Sequence, residues 1–305
     1  MTIDSGKLYA MLSEPQPRLP TELLYAGAGA EVFERITQLP EYYPTREEFK
    51  LLVQNKYELL TKLGPHIEVV EFGAGDGHKV DLLLSDYFVD SYIAVDIACE
   101  QLAGVRMDKA RKFKDLELST LCVDFTTLDK PLKTPYKKRL GVLFGGTLGN
   151  FAPEAAARLL QRWRGVLGPQ ARLLVGYSKP WTHNKVRAAY NDALGVTASF
   201  NLGLLENVNA ALGDEVFDMT AWLHTAVYNL RQQRVEMYVE AGRSTVVRLQ
   251  TNALRFGTGE RILTEVSYRW RTQDVTGILL NGGWSPVKTF TSDDDNYGLV
   301  LAEAL

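Results

Sequence analysis

Apolar positions along the chain fall into two textures. Residues 46–63 place Phe49, Leu51, Leu52, Tyr57, Leu59 and Leu60 at helical spacing, which predicts an amphipathic helix. Short apolar runs follow, "EVVEF", "SYIAVDI", "LSTLCVDF", "LGVLFGG" and "ARLLVGYS", each nearly continuous and therefore read as a buried strand. The segments "KVDLLLSDYF", "CEQLAGVRMDKARKF" and "PEAAARLLQRWRGVL" lie between them with helical periodicity. Alternation of this kind predicts a parallel sheet covered on both faces.

After Trp181 the texture changes. Two helical stretches come first, then period-2 runs such as "RVEMYVEA" and "STVVRLQTNALRF", which predict an antiparallel patch. "TEVSYRWRTQDVTGILLNGG" reads as helical, and "SPVKTFTS" with "YGLVLAEA" is expected to close the first sheet as an edge pair. Residues 1–43 read as irregular, with "EPQPRLP" unsuited to a helix. The expected class is α/β: a domain with a mostly parallel sheet at 44–180 and 270–305, and a smaller α+β domain at 1–43 and 181–269.

Composition narrows the partners. The 305 residues are 46% hydrophobic and 23% charged, with a formal net charge of -3. Such a balance gives no general attraction to nucleic acid or an anionic membrane. No apolar run approaches the roughly 18 residues needed to span a bilayer. "MTIDSGKLYAML" lacks the basic start and long apolar stretch of a signal peptide, so a cytoplasmic protein, and a monomer, is the expectation. Cys99 and Cys122 lie in apolar segments and are expected as buried free thiols. His66, His78, His183 and His224 are dispersed without metal-ligand spacing, so no metal is expected. No Ser/His/Asp or Cys/His constellation supports hydrolase chemistry.

The candidate chemistry begins at "IEVVEFGAGDGHKVDLLL". Gly73, Gly75 and Gly77 sit between a strand and a helical pattern, as G-x-G-x-G. A dinucleotide fingerprint would be G-x-G-x-x-G, so the third glycine is misplaced for a nicotinamide cofactor. Glu71 lies two residues before the first glycine, where an acid can help hold an ammonium. The next strand ends at Asp96, placed to accept from ribose hydroxyls, and the third ends near Asp124, placed to meet an adenine amine. Lys79, just past the glycines, reads either as a partner for a ligand carboxylate or as a solvated surface lysine. Carboxylates at successive strand ends around a glycine turn suit S-adenosylmethionine, which brings an ammonium, a carboxylate and a sulfonium rather than two phosphates.

Four further segments carry a resemblance. "LPEYYPTREE", "LFGGTLGNF", "AYNDALGVTASFN" and "RILTEVSYRW" resemble the histidine-specific Nα-methyltransferases of ergothioneine biosynthesis, from about Tyr25 to the C-terminus. The resemblance implies a Rossmann-like methyltransferase domain and a smaller domain that closes over an amino acid. It implies that Asn150 holds the substrate's amino and carboxylate groups, that Tyr190 grips the carboxylate, and that Tyr25 and Tyr42 line the pocket. Glu265 and Ser267 would read the imidazole. Read as residues alone, Asn150 could instead cap the helix near Pro153. Glu265 and Ser267 would point the same way only if their segment is extended. Three functions follow as expectations: methylation of the histidine α-amine to the trimethylated betaine, with Tyr25, Tyr42 and Asn150 at the reacting centre; methylation of tryptophan or another aromatic amino acid; or a donor-binding regulator without turnover.

Overall fold

The computed structural model describes residues 3–85, 88–135, 138–250 and 252–305. Its helices are α1 (Ser5–Leu12), α2 (Gly29–Thr37), α3 (Tyr43–Leu63), α4 (Asp81–Leu84), α5 (Cys99–Lys112), α6 (Pro153–Leu167), α7 (His183–Ala188), α8 (Val196–Leu212) and α9 (Thr272–Asn281). Its strands are β1 (Ile67–Phe72), β2 (Val89–Asp96), β3 (Glu117–Cys122), β4 (Arg139–Leu143), β5 (Arg172–Ser178) and β6 (Trp222–Asn229). They continue with β7 (Arg234–Ala241), β8 (Thr245–Leu249), β9 (Asn252–Phe256), β10 (Arg261–Tyr268), β11 (Trp284–Thr291) and β12 (Tyr297–Ala304). These elements gather into two compact units, Met1–Tyr43 with Thr182–Ser267, and Pro44–Trp181 with Tyr268–Leu305.

The second unit is an α/β sheet of seven strands in the order β11-β12-β5-β4-β1-β2-β3. The strands β3, β2, β1, β4 and β5 run parallel, whereas β12 is antiparallel to β5 and β11 to β12. Every residue of β1 is buried, which is why its sequence does not alternate. Val69, Tyr92 and Leu140 belong to the core on one face, and Val70, Phe72 and Trp163 to the core on the other. The strand order reverses between β1 and β4, and open sheets bind ligands at the carboxyl ends beside such a reversal. At the opposite end, the buried Glu68 carboxylate accepts from Arg139 Nε at 2.7 Å and from the Thr134 hydroxyl at 2.8 Å.

The first unit holds the sheet β10-β7-β6 and the hairpin β8-β9. Its opening segment is helical rather than irregular. Asp4 caps α1 by accepting from the Lys7 N–H at 2.8 Å, and Leu8 and Leu12, one turn apart, are buried. "EPQPRLP" is indeed non-helical: it runs along β10, with Leu263 N–H donating to the Pro17 carbonyl and Leu19 N–H to the Leu263 carbonyl. That contact covers a sheet edge that would otherwise stand open.

Other expectations are corrected. Residues 261–268 form a strand, and only Thr272–Asn281 of the expected helix is helical. Ile262, Thr264 and Val266 are β-branched, and pairing with β7 on one side and residues 17–19 on the other holds the segment extended. "STVVRLQTNALRF" folds back on itself as β8 and β9, turning beside Gln250, whose φ is 50°. In "KVDLLLSDYF" the α-helix is Asp81–Leu84, and residues 86 and 87 lie outside the described residues. Cys99 and Cys122 are not buried thiols; they are exposed and joined in a disulfide, with Cα atoms 5.2 Å apart. The register of β2 and β3 sets Asp96 opposite Cys122, and α5 begins at Cys99, so both side chains reach one sheet edge.

Among the described residues no helix is long and apolar enough to cross a membrane, and no group of His, Cys, Asp and Glu could hold a metal ion.

Candidate functional site

In the second unit the glycine turn is built on the ends of β1 and β2. Gly73 and Ala74 N–H groups both donate to the Val95 carbonyl, at 2.8 and 3.1 Å. Gly73, Gly75 and Gly77 have φ of 73°, 54° and 65°, a region that L side chains rarely enter. A Cβ on Gly77 would press on Val105 and Lys109, whereas one on Gly75 would meet nothing within 4 Å. Gly75 therefore borders open space, and a ligand can approach the main chain there.

Asp96 stands beside that opening. Its carboxylate accepts from the Gly75 N–H at 2.9 Å and from the Ala98 N–H at 3.0 Å, so it fixes the turn while remaining only half-buried. Asp124, also half-buried, accepts from the Thr126 N–H at 2.8 Å and caps a short 3-10 turn. Glu71 is different: it is buried, and the Tyr92 hydroxyl donates to it at 2.5 Å. Burial pushes its carboxyl up to about 8, against the opposing pull of Tyr92, Lys79 and Lys109. It joins β1 to β2 just before the turn.

Lys79 is neither solvated nor loose. Its ammonium pairs with the buried carboxylate of Glu48, which also accepts from the Gly145 N–H at 2.8 Å. Gly145 opens the turn after β4, and the short helical turn Thr147–Asn150 follows it. Asn150 is half-buried there. The N-cap of α6 is Ala152, two residues beyond Asn150, so Asn150 is not the N-cap residue of that helix.

The first unit assembles a separate cluster. Because residues 265–267 are extended, Glu265 and Ser267 share a face of β10, and both are buried. The Tyr190 hydroxyl donates to Ser267 Oγ at 3.0 Å, and the Tyr25 hydroxyl donates to Glu265 Oε1 at 3.4 Å. Tyr42 lies edge-on to Tyr190 with ring centroids 6.0 Å apart, and Phe33 and Phe200 each lie near Tyr25 at 5.5 Å. The result is an aromatic wall with a carboxylate and a hydroxyl at its rim. Asn207 on α8 holds the turn that carries Tyr25, donating to the Leu23 and Ala26 carbonyls at 2.7 and 3.0 Å. His224 Nε2 meets the Tyr190 carbonyl at 3.0 Å, and its Nδ1 meets Asn201 at 3.0 Å.

A glycine turn ringed by strand-end carboxylates, and an aromatic cluster with Glu265 and Ser267 aligned, suit a methyl donor and an amino acid. The model of a family described as histidine-specific methyltransferase, SAM-dependent, matches residues 5–304. The chain belongs to that family. It is an S-adenosylmethionine-dependent amino-acid N-methyltransferase. A histidine N-alpha-methyltransferase of Mycolicibacterium smegmatis is 33% identical over 301 residues, covering 96% of this chain and 92% of that protein. Ergothioneine biosynthesis protein 1 of Neurospora crassa is 30% identical, with 93% of this chain matched to 33% of that longer protein. Among solved structures, magnesium protoporphyrin IX methyltransferase of Synechocystis PCC 6803 with bound SAM superposes with a TM-score of 0.51 at 11% identity, over 94% of this chain and 98% of that one. At that identity the likeness concerns the fold alone.

For this methyltransferase, sequence reasoning missed Glu48, Phe33, Phe200, Asn201 and His224. Glu48 lies in "LPEYYPTREE", and Phe200 and Asn201 lie in "AYNDALGVTASFN", so the motifs held them without showing their partners. Phe33 and His224 lie outside every segment that carried the resemblance, and nothing local marks them.

Proposed function

We propose that this methyltransferase adds methyl groups to the α-amine of histidine, through to the trimethylated betaine, as a step of ergothioneine biosynthesis. The observation that carries the reading is the alignment of Glu265 and Ser267 on one face of β10, each met by a tyrosine hydroxyl within an aromatic cluster. A carboxylate and a hydroxyl so placed can accept from and donate to the two nitrogens of an imidazole, while the rings pack on its faces. Tryptophan has one ring N–H and no ring acceptor, so it offers nothing for the Ser267 hydroxyl to donate to.

Residue roles follow on the same terms. Gly73 and Gly75 let the donor approach the main chain; Asp96 would accept from its ribose hydroxyls and Asp124 from its adenine amine. Lys79 would face its carboxylate, and Glu71 would hold the turn beneath its ammonium. The fit rests on the open space over Gly75 and on Asp96 beside it. When bound, the donor supplies an electrophilic methyl group on sulfur. The chain's own task is to present a neutral amine in line, so orientation is its main contribution. An α-amine with pKa about two units above neutrality costs about 2.7 kcal/mol to deprotonate. Asn150 and Tyr190 would fix the substrate carboxylate, and the hydroxyls of Tyr25 and Tyr42, or a water beside them, would pass the proton on.

The reading includes a monomer in the cytoplasm with a small amino acid as partner. The acidic balance weighs against a nucleic-acid partner, and among the described residues no helix is long and apolar enough to cross a membrane. The exposed Cys99–Cys122 bridge weighs against a reducing compartment, and thiol labelling in fresh cell extract decides that point. One assay tests the function: incubation with the donor and each of the twenty amino acids, read by mass. Histidine should gain three methyl masses. Methylation of tryptophan with histidine untouched would overturn the reading.

A further inference from the structure

Glu48 had no place in the sequence reading, yet its carboxylate takes donors from three separate parts of the second unit. It lies on α3 and is wholly buried. One oxygen accepts from the Tyr297 hydroxyl of β12 at 2.7 Å. The other accepts from the Gly145 N–H at 2.8 Å and pairs with the Lys79 ammonium. A Cβ at Gly176 of β5 would collide with the first oxygen, so that strand carries glycine where the carboxylate passes. A buried carboxylate is retained only where hydrogen bonds and a counter-charge offset its lost hydration, and all three donors here converge at the ligand edge of the sheet.

The strand order says which end of the donor this concerns. Asp96 and Asp124 follow β2 and β3, on one side of β1, so the adenosine lies there. Lys79 and Gly145 lie on the other side, toward β4, where the methionine end must fall. We propose that Glu48 is a positioning residue for that amino-acid end of the donor, acting through the Lys79 ammonium and the Gly145 main chain. The proposal rests on the donor assignment made above. Without Glu48 the ammonium loses its anchor and the turn leading to Asn150 loses the bond that holds its first N–H.

The test compares two ligands that share adenosine and differ in the amino-acid end, S-adenosylhomocysteine and 5′-methylthioadenosine, by calorimetry on the whole chain. Glu48→Gln keeps the shape and removes the charge. It should weaken S-adenosylhomocysteine about tenfold or more, while 5′-methylthioadenosine changes less than about twofold. A general loosening of the fold would weaken both alike, and that result, or no change in either, overturns the proposal. Combined with Lys79→Met, the variant should be no weaker than the more affected single variant, because both act on one contact. If Glu48→Gln does not fold, Tyr297→Phe removes a single donor to the carboxylate. It should produce the same selective loss at about threefold, and equal loss for both ligands overturns the proposal there too. Wild-type protein that binds neither ligand would instead overturn the donor assignment, and this inference with it.

Discussion

Asp96 and Asp124 in one unit and Glu265 and Ser267 in the other are held in place by different means. In the unit of Pro44–Trp181 with Tyr268–Leu305, Asp96 and Asp124 are held by main-chain N–H groups within two residues or across one strand. In the unit of Met1–Tyr43 with Thr182–Ser267, the bonds run between side chains far apart in sequence, Tyr25 to Glu265 and Tyr190 to Ser267. The first arrangement needs only strand ends and glycines with positive φ. The second needs a particular partner at a particular distant position, so single substitutions there should change what is bound more than whether the unit folds.

The sharpest break of this comparison avoids both sites. Glu68 and Arg139 form a buried ion pair at the amino ends of β1 and β4, away from the ligand edge. Glu68→Ala leaves the Arg139 guanidinium buried without its carboxylate, which should cost about 3–5 kcal/mol. Denaturant unfolding should show that loss, while S-adenosylhomocysteine affinity of the folded fraction stays near wild type. A loss of affinity matching the loss of stability would show that the second unit does not separate its frame from its ligand edge.

Asp96 comes next. Asp96→Ala removes a charged acceptor from the ribose position and should weaken S-adenosylhomocysteine by about 1.5–3 kcal/mol. Because the same carboxylate also holds the Gly75 and Ala98 N–H groups, stability should fall with it. Unchanged binding in calorimetry would remove Asp96 from the ribose assignment.

How much of each unit was legible follows from this difference. The central strands β1, β4 and β5 and the closing strand β12 show in the sequence because burial on both faces leaves nearly uninterrupted apolar runs, whereas the edge strands β3 and β11 are partly exposed. The glycine turn shows because Gly73, Gly75 and Gly77 occupy a backbone region that other residues avoid. Local pattern failed where a distant segment decides the conformation. Residues 264–268 read as part of the helix that follows, but pairing of β10 with β7, and with the chain at 17–19, holds them extended and sets Glu265 and Ser267 on one face. Glu48 reads as one of two acids on an exposed-looking helix turn, and its burial depends on Tyr297 at the other end of the chain. The Cys99–Cys122 bridge depends on strand register, which composition does not reveal.

In the first unit, Glu265→Ala should weaken histidine by about 1–3 kcal/mol, since a buried imidazole N–H loses its acceptor. The change should also relax rejection of tryptophan, because the carboxylate placed for an imidazole N–H is gone. Donor affinity should not move. Binding of both amino acids by titration checks this, and equal weakening of the two would assign Glu265 to framework rather than to recognition.

The smallest effect concerns His224, and its sign is what informs. Burial lowers the imidazole pKa from its usual 6.5, opposed by the Tyr190 carbonyl and by Asp192. Neutral His224 can donate from Nε2 to that carbonyl and accept at Nδ1 from the Asn201 amide, and protonation removes the acceptor. The folded state therefore binds this proton less readily than the unfolded chain. Its contribution to stability is complete above about pH 6.5 and is lost as pH falls from there through the lowered folded value. Asp192 is the charged group nearest in effect, and its carboxylate is held by the Val196 and Thr197 N–H groups at 2.9 and 2.8 Å. Hydrogen exchange between pH 7.5 and 5.5 should show weakening around α8 and β6, with little change in β1 and β4. His224→Gln, which keeps a donor and an acceptor but does not titrate, should flatten that dependence. If the wild-type slope persists in the variant, another group carries it and His224 does not tie Tyr190 to pH.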